Sequence, residues 1–90
     1  MFVSFTDWEF DGNVDNAVES AKGFWPAMKK HGATNLRMTV TGDKTLRTMT
    51  IWSSEEKLKA NIDEVRAAAA SAAGMTSTGG MMGALAVELD

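Results

Sequence analysis

The sequence predicts an α+β domain in the order β-α-β-β-α-β, a ferredoxin-like arrangement of four antiparallel strands with two helices on one face. Three observations lead there. The apolar period switches from two to about 3.6 residues after Asp11-Gly12-Asn13, and again at Ser53-Ser54-Glu55-Glu56. Thr41-Gly42-Asp43-Lys44 is a tight polar connection between two alternating stretches, as in an antiparallel hairpin. Strand-like stretches stand at both ends of the chain.

Met1 to Phe10 reads as the first strand. Met1, Val3 and Phe5 share one face, and Phe2, Ser4, Thr6, Trp8 and Phe10 the other, so both faces carry large apolar groups. Asn13 or Asp15 then caps a helix running to about His31, with a stripe of Val14, Ala17, Val18, Ala21, Phe24, Trp25 and Met28. Pro26 lies inside that stripe and lacks an amide proton, which predicts a kink or break near Lys22-Gly23. Lys29, Lys30 and His31 suit the negative end of the helix dipole, and Gly32 stops the helix.

Leu36, Met38 and Val40 alternate with Arg37, Thr39 and Thr41 in the second strand. Thr45 to Trp52 forms the third, with Arg47, Met49 and Ile51 on one face and Leu46, Thr48, Thr50 and Trp52 on the other. Ser53 with Glu56 fits a capping box, and Leu58, Ile62, Val65, Ala69 and Ala72 carry the second helix to Gly74. Met75 to Gly80 reads as a mobile polar loop able to act as a lid, and Met81 to Leu89 as the last strand.

The helix-side face of the sheet is expected to hold Val3, Phe5, Leu36, Met38, Val40, Met49, Ile51, Leu85, Val87 and Leu89. The reverse face would then hold Phe2, Ser4, Thr6, Trp8, Thr39, Leu46, Thr48, Thr50, Ala84 and Ala86. That face lacks the charges of a solvated sheet, and a chain of 90 residues has a marginal core of its own, so two copies are expected to pack these faces together.

Composition narrows the function. The 90 residues are expected to make one domain. No cysteine is present, so disulfides and thiolate metal sites are excluded. A net charge of −3 offers no footprint for nucleic acid, and the third strand carries Thr48 and Thr50 where an RNA-recognition sheet needs aromatics. No apolar run approaches the roughly 20 residues that span a bilayer. No signal peptide is apparent, and a cytoplasmic location is the expectation.

Few residues can carry chemistry. His31 is the single histidine, either a general base or a residue placed for the helix dipole. Without a second histidine or a cysteine it is not expected to hold a metal. Asp7 would become a base if burial raised its pKa; the other reading is a solvated strand end. Trp8, Trp25 and Trp52 suit either the walls of an apolar pocket or plain core and interface packing. Arg37 and Arg47 on adjacent strands either hold an anionic ligand or pair across strands with Asp43 or Glu88. Gly74, Gly79, Gly80 and Gly83 make no phosphate loop, because the lysine and the strand-loop-helix context are missing.

The stretch Ile51-Trp52-Ser53-Ser54-Glu55-Glu56-Lys57-Leu58 resembles the W-x-S-x-E-x-hydrophobic junction of the dimeric α/β-barrel superfamily. Its best-known branch is the antibiotic-biosynthesis-monooxygenase-like proteins, and the match in element order and length covers nearly the whole chain. The resemblance implies a homodimer whose sheets close into a barrel, with an apolar pocket between sheet and helices. Some members are cofactor-independent monooxygenases of aromatic polyketides, and some degrade haem. In the haem-degrading branch the tryptophan acts with a strand-one asparagine and a helix-two histidine. Here strand one offers Ser4, Thr6 and Asp7, and helix two reads Ala60-Asn61-Ile62-Asp63, so haem chemistry is not expected.

The resulting expectation is a homodimer that binds a small apolar or aromatic molecule and oxidises it without a cofactor. Trp52, Trp25 and Trp8 would be walls, Arg37 an anion holder, and His31 or Asp7 the polar group. The alternative is a non-enzymatic ligand-binding or structural dimer.

Overall fold

The computed structural model describes residues 1–89. The elements follow the expected order: β1 (Phe2–Glu9), α1 (Val14–Lys30), β2 (Ala33–Gly42), β3 (Thr45–Trp52), α2 (Glu55–Ala73) and β4 (Thr76–Ala84). The strands form one antiparallel sheet of order β2-β3-β1-β4, with each crossover helix packed on it, which is the ferredoxin-like topology.

Local chemistry sets most of the boundaries. Asn13 caps α1, its side chain accepting from the Asn16 amide at 3.0 Å. The helix ends at His31, and Gly32 follows with φ +102, a conformation that favours glycine. The expected break does not occur: α1 runs on through Pro26 to Lys30. Lys22, whose carbonyl loses its amide partner, is exposed like Pro26, so the unpaired group faces solvent and costs little. The cap of α2 also differs from the capping box. Ser54 rather than Ser53 is the capping residue, and it accepts from the Lys57 amide at 3.2 Å.

The last strand is displaced from its expected position. Thr76 to Gly80 belongs to β4 rather than to a loop, so the proposed lid does not exist. Leu85 to Leu89 lies beyond the strand; the Leu85 amide still donates to the Met1 carbonyl at 3.0 Å, while Val87 and Leu89 are exposed. Hydrogen bonding to β1 decides the placement: Thr6 pairs with Gly80 and Phe5 with Met81. Gly80 must be glycine because an added Cβ would stand 2.9 Å from the Phe5 carbonyl and 2.5 Å from the Arg66 guanidinium.

β1 and β3 turn toward the helices the face opposite to the one expected, whereas Leu36 and Met38 of β2 face the helices as expected. Across the strands, one face carries the rows Met82–Ser4–Thr50–Leu36, Gly80–Thr6–Thr48–Met38 and Ala84–Phe2–Trp52–Ala33. This is the face beneath the helices. Trp52 and Ala33 are buried with Met28, Leu58 and Ile62, and Trp8 and Leu46 with Ala17, Ala69 and Met75. The opposite face carries Met81–Phe5–Met49–Arg37, Gly83–Val3–Ile51–Asn35 and Gly79–Asp7–Arg47–Thr39. The parity within each strand is as expected; the choice of inner face differs for β1 and β3 and agrees for β2. The bulkiest groups, Trp8, Leu46 and Trp52, share their face with the hydroxyls and carry them inward. Among the described residues, no helix is long and apolar enough to cross a membrane.

Candidate functional site

The centre of the inner face is polar. Ser4, Thr6, Thr48 and Thr50 form a square of hydroxyls on the two central strands, Ser4 opposite Thr50 and Thr6 opposite Thr48. Ser4, Thr6 and Thr50 are buried. Buried polar groups need partners, and three long side chains provide them for Ser4, Thr48 and Thr6. The Trp52 indole N–H donates to Ser4 Oγ at 3.1 Å, and the Trp8 indole N–H to Thr48 Oγ1 at 3.0 Å. Arg66 of α2 reaches past Gly80 and donates from Nε to Thr6 Oγ1 at 3.0 Å and from Nη2 to the Phe5 carbonyl at 3.4 Å.

Phe24, Met28, Met38, Ile62 and Met75 close over this square and leave a space of about 30 Å³. That volume holds about one or two waters. An organic ligand enters only if side chains move, and methionine is the side chain best able to do so. Two openings adjoin the space. A groove of about 330 Å³ between α1 and β2 shares Ala21, Leu36 and Met38 with it. A cleft of about 90 Å³ between the two helices shares Phe24, Met28 and Val65, and is also bordered by His31, Asn61 and Glu64.

The anticipated site residues are therefore scattered around one interior. Trp52 and Trp8 stand at its two ends, with Trp52 fully buried. Trp25 and Arg37 line the α1/β2 groove. His31 is exposed at the end of α1 and borders the interhelical cleft. Asp7 lies on the opposite face of the sheet, where its two oxygens accept from Arg47 Nε at 2.8 Å and Nη2 at 3.0 Å. The solvated strand end is the reading that holds for Asp7, since a base there needs burial that raises its pKa. Instead its carboxyl is held below its ordinary value, because the hydrogen bond from Arg47 outweighs a small desolvation. Arg47 thus pairs with Asp7, not with Asp43 or Glu88, and it also lies over the Phe5 ring at 5.6 Å. Sequence reasoning missed Ser4, Thr6, Thr48, Thr50 and Arg66 as a group. The available signal was the shared parity of the hydroxyls with Trp8 and Trp52.

No protein-family model matches the chain, and no curated protein matches it. Solved structures do. SnoaB, a cofactor-independent oxygenase from Streptomyces nogalater, superposes with a TM-score of 0.69 at 10% identity, over 98% of this chain and 96% of its own. ActVA-Orf6, a monooxygenase of Streptomyces coelicolor crystallised with nanaomycin D, gives 0.63 at 20% identity over 99% and 92%. A dimeric ferredoxin-like protein from an uncultured marine organism gives 0.65 at 11% identity over 100% and 99%. At these identities the likeness is one of fold. The chain has the ferredoxin-like fold of the antibiotic-biosynthesis-monooxygenase-like structures, as the Trp52 junction implied.

Proposed function

We propose that the protein is a homodimer that takes a small apolar or aromatic molecule between its sheet and helices, against the hydroxyl square. One observation carries this reading. The core holds a square of hydroxyls flanked by two tryptophans and reached by Arg66, a cation that lacks a carboxylate partner among the described residues. Such an arrangement orients a ligand with an apolar body and one oxygen. The fold neighbours lend support, since one holds nanaomycin D and another is dimeric.

Oxidation of that molecule without a cofactor is the enzymatic form of the same reading, favoured by Arg66. Its guanidinium and the hydroxyls are suited to hold a substrate oxyanion, the electron-rich species that reacts with dioxygen. His31 borders the interhelical cleft beyond the shared Phe24–Met28 wall, so it would take the proton only of a ligand that extends into that cleft. Asp7, on the far face and ion-paired, is poorly placed for that role.

Titration with nanaomycin D, followed by indole and amide NMR, tests the site. The expected result is shifts at Trp52, Ser4 and Thr50, and a dissociation constant raised about tenfold by Arg66→Gln, the size of one lost charge-assisted hydrogen bond. Saturation without any change at those three residues would remove the interior from consideration.

A further inference from the structure

The α1/β2 groove has its own character. It is about 330 Å³, the low end of ligand-sized clefts and enough for one or two fused rings. Trp25, Leu36 and Met38 give it an apolar lining, and its only charged lining residues are the cations Lys22 and Arg37, on a chain of net charge −3. The cations differ in availability. Lys22 is 3.6 Å from the Glu19 carboxylate in an exposed pair. Arg37 belongs to the opposite-face row but sits on the edge strand β2 and borders the groove; it has no acidic partner among the described residues, and its Nη1 donates to the Leu36 carbonyl at 3.2 Å. Arg47, its neighbour on β3, is already engaged by Asp7. Asn35 also borders the groove, but its side chain belongs to the opposite-face row, where its amide oxygen is buried without a donor.

We infer that this groove recognises a small aromatic carboxylate, with the ring against Trp25 and the carboxylate on Arg37 and Lys22. Charge complementarity selects the anion, since a guanidinium presents a planar fork that fits a carboxylate. The indole selects a flat body. The wall of Leu36 and Met38, shared with the interior, lets the far end of a longer ligand approach the hydroxyl square. The inference rests on the small-molecule reading above and adds the ligand class.

The test uses 2-naphthoate and its neutral counterpart 2-naphthylmethanol, titrated into the full chain at neutral pH with NMR detection. The expected result is that naphthoate shifts the Trp25 indole and the Asn35 and Arg37 amides, and binds at least tenfold more tightly than the alcohol. Arg37→Gln, a surface change that leaves the core intact, should erase about tenfold of the affinity, and added salt should weaken the rest. Equal binding of acid and alcohol, with no effect of Arg37→Gln, overturns the anionic class while leaving a small-molecule protein. Shifts centred on Ser4, Thr50 and Trp52 overturn the groove and keep the interior. Absence of naphthoate binding overturns the inference by itself, and absence of nanaomycin D binding as well overturns the reading beneath it.

Discussion

At the scale of the residue, Asp7 and Trp52 exchange the roles that alternation alone assigns to them. Trp52 is enclosed, and its indole N–H, which would cost about 1–3 kcal/mol if left unpaired, is met by Ser4. Asp7 stays at a wet surface because Arg47 meets it there in bidentate fashion. The pair makes folding pH-dependent. The native Asp7 carboxyl titrates below its ordinary value of 3.8, so the unfolded chain binds that proton first as pH falls. Its stabilisation is full above that value and fades as pH drops through the native one. Urea unfolding midpoints of the parent and Asp7→Asn should therefore differ at neutral pH and converge at the acid limit. A constant gap across the range would mean that the pair does not set the titration.

At the scale of the element, the helix starts and the hairpin were legible because each is decided by local chemistry. A cap needs one hydroxyl or amide within three residues, and a two-residue turn needs little else. The cap of α2 shows the resolution of that reading. Ser53 and Ser54 are equal as letters, and only the path of the backbone out of β3 makes Ser54 the acceptor for Lys57. Ser54→Ala should destabilise the protein by about 1 kcal/mol, whereas Ser53→Ala should stay within about 0.5 kcal/mol, measured by chemical denaturation. The reverse order would restore the Ser53–Glu56 box. β4 was misplaced for the opposite reason. Thr76 to Gly80 has the composition of a loop, and it becomes a strand only because β1 offers it a free edge and Arg66 needs the space above Gly80.

At the scale of the whole molecule, the order of elements was readable from two changes of period, but the inner face of β1 and β3 was not. Both faces of β1 are rich enough in apolar groups to be the core, so a rule of apolar inside and polar outside has no purchase. What decides is volume and hydrogen bonding together. The tryptophans fill the space beneath the helices, and the hydroxyls beside them accept their protons. On the apolar face left over, Val3 and Ile51 are buried within the subunit, while Phe5, Met49 and Met81 stay accessible and are suited to meet a second copy. Met49→Glu should weaken self-association while the subunit still folds, as seen by sedimentation and circular dichroism. Thr50→Glu, aimed into the interior, should instead unfold the subunit. If Met49→Glu sediments like the parent, that face does not carry the dimer.

The placing of the three tryptophans has an optical consequence. The chain contains no tyrosine, so its near-ultraviolet absorption and emission come almost wholly from Trp8, Trp25 and Trp52. Two of these chromophores are locked against hydroxyls in the sheet interior, while Trp25 stands in an open groove. Iodide therefore reaches one emitter and spares two. The quenchable fraction of the fluorescence reports the groove, and the shielded remainder reports the core, without any label added.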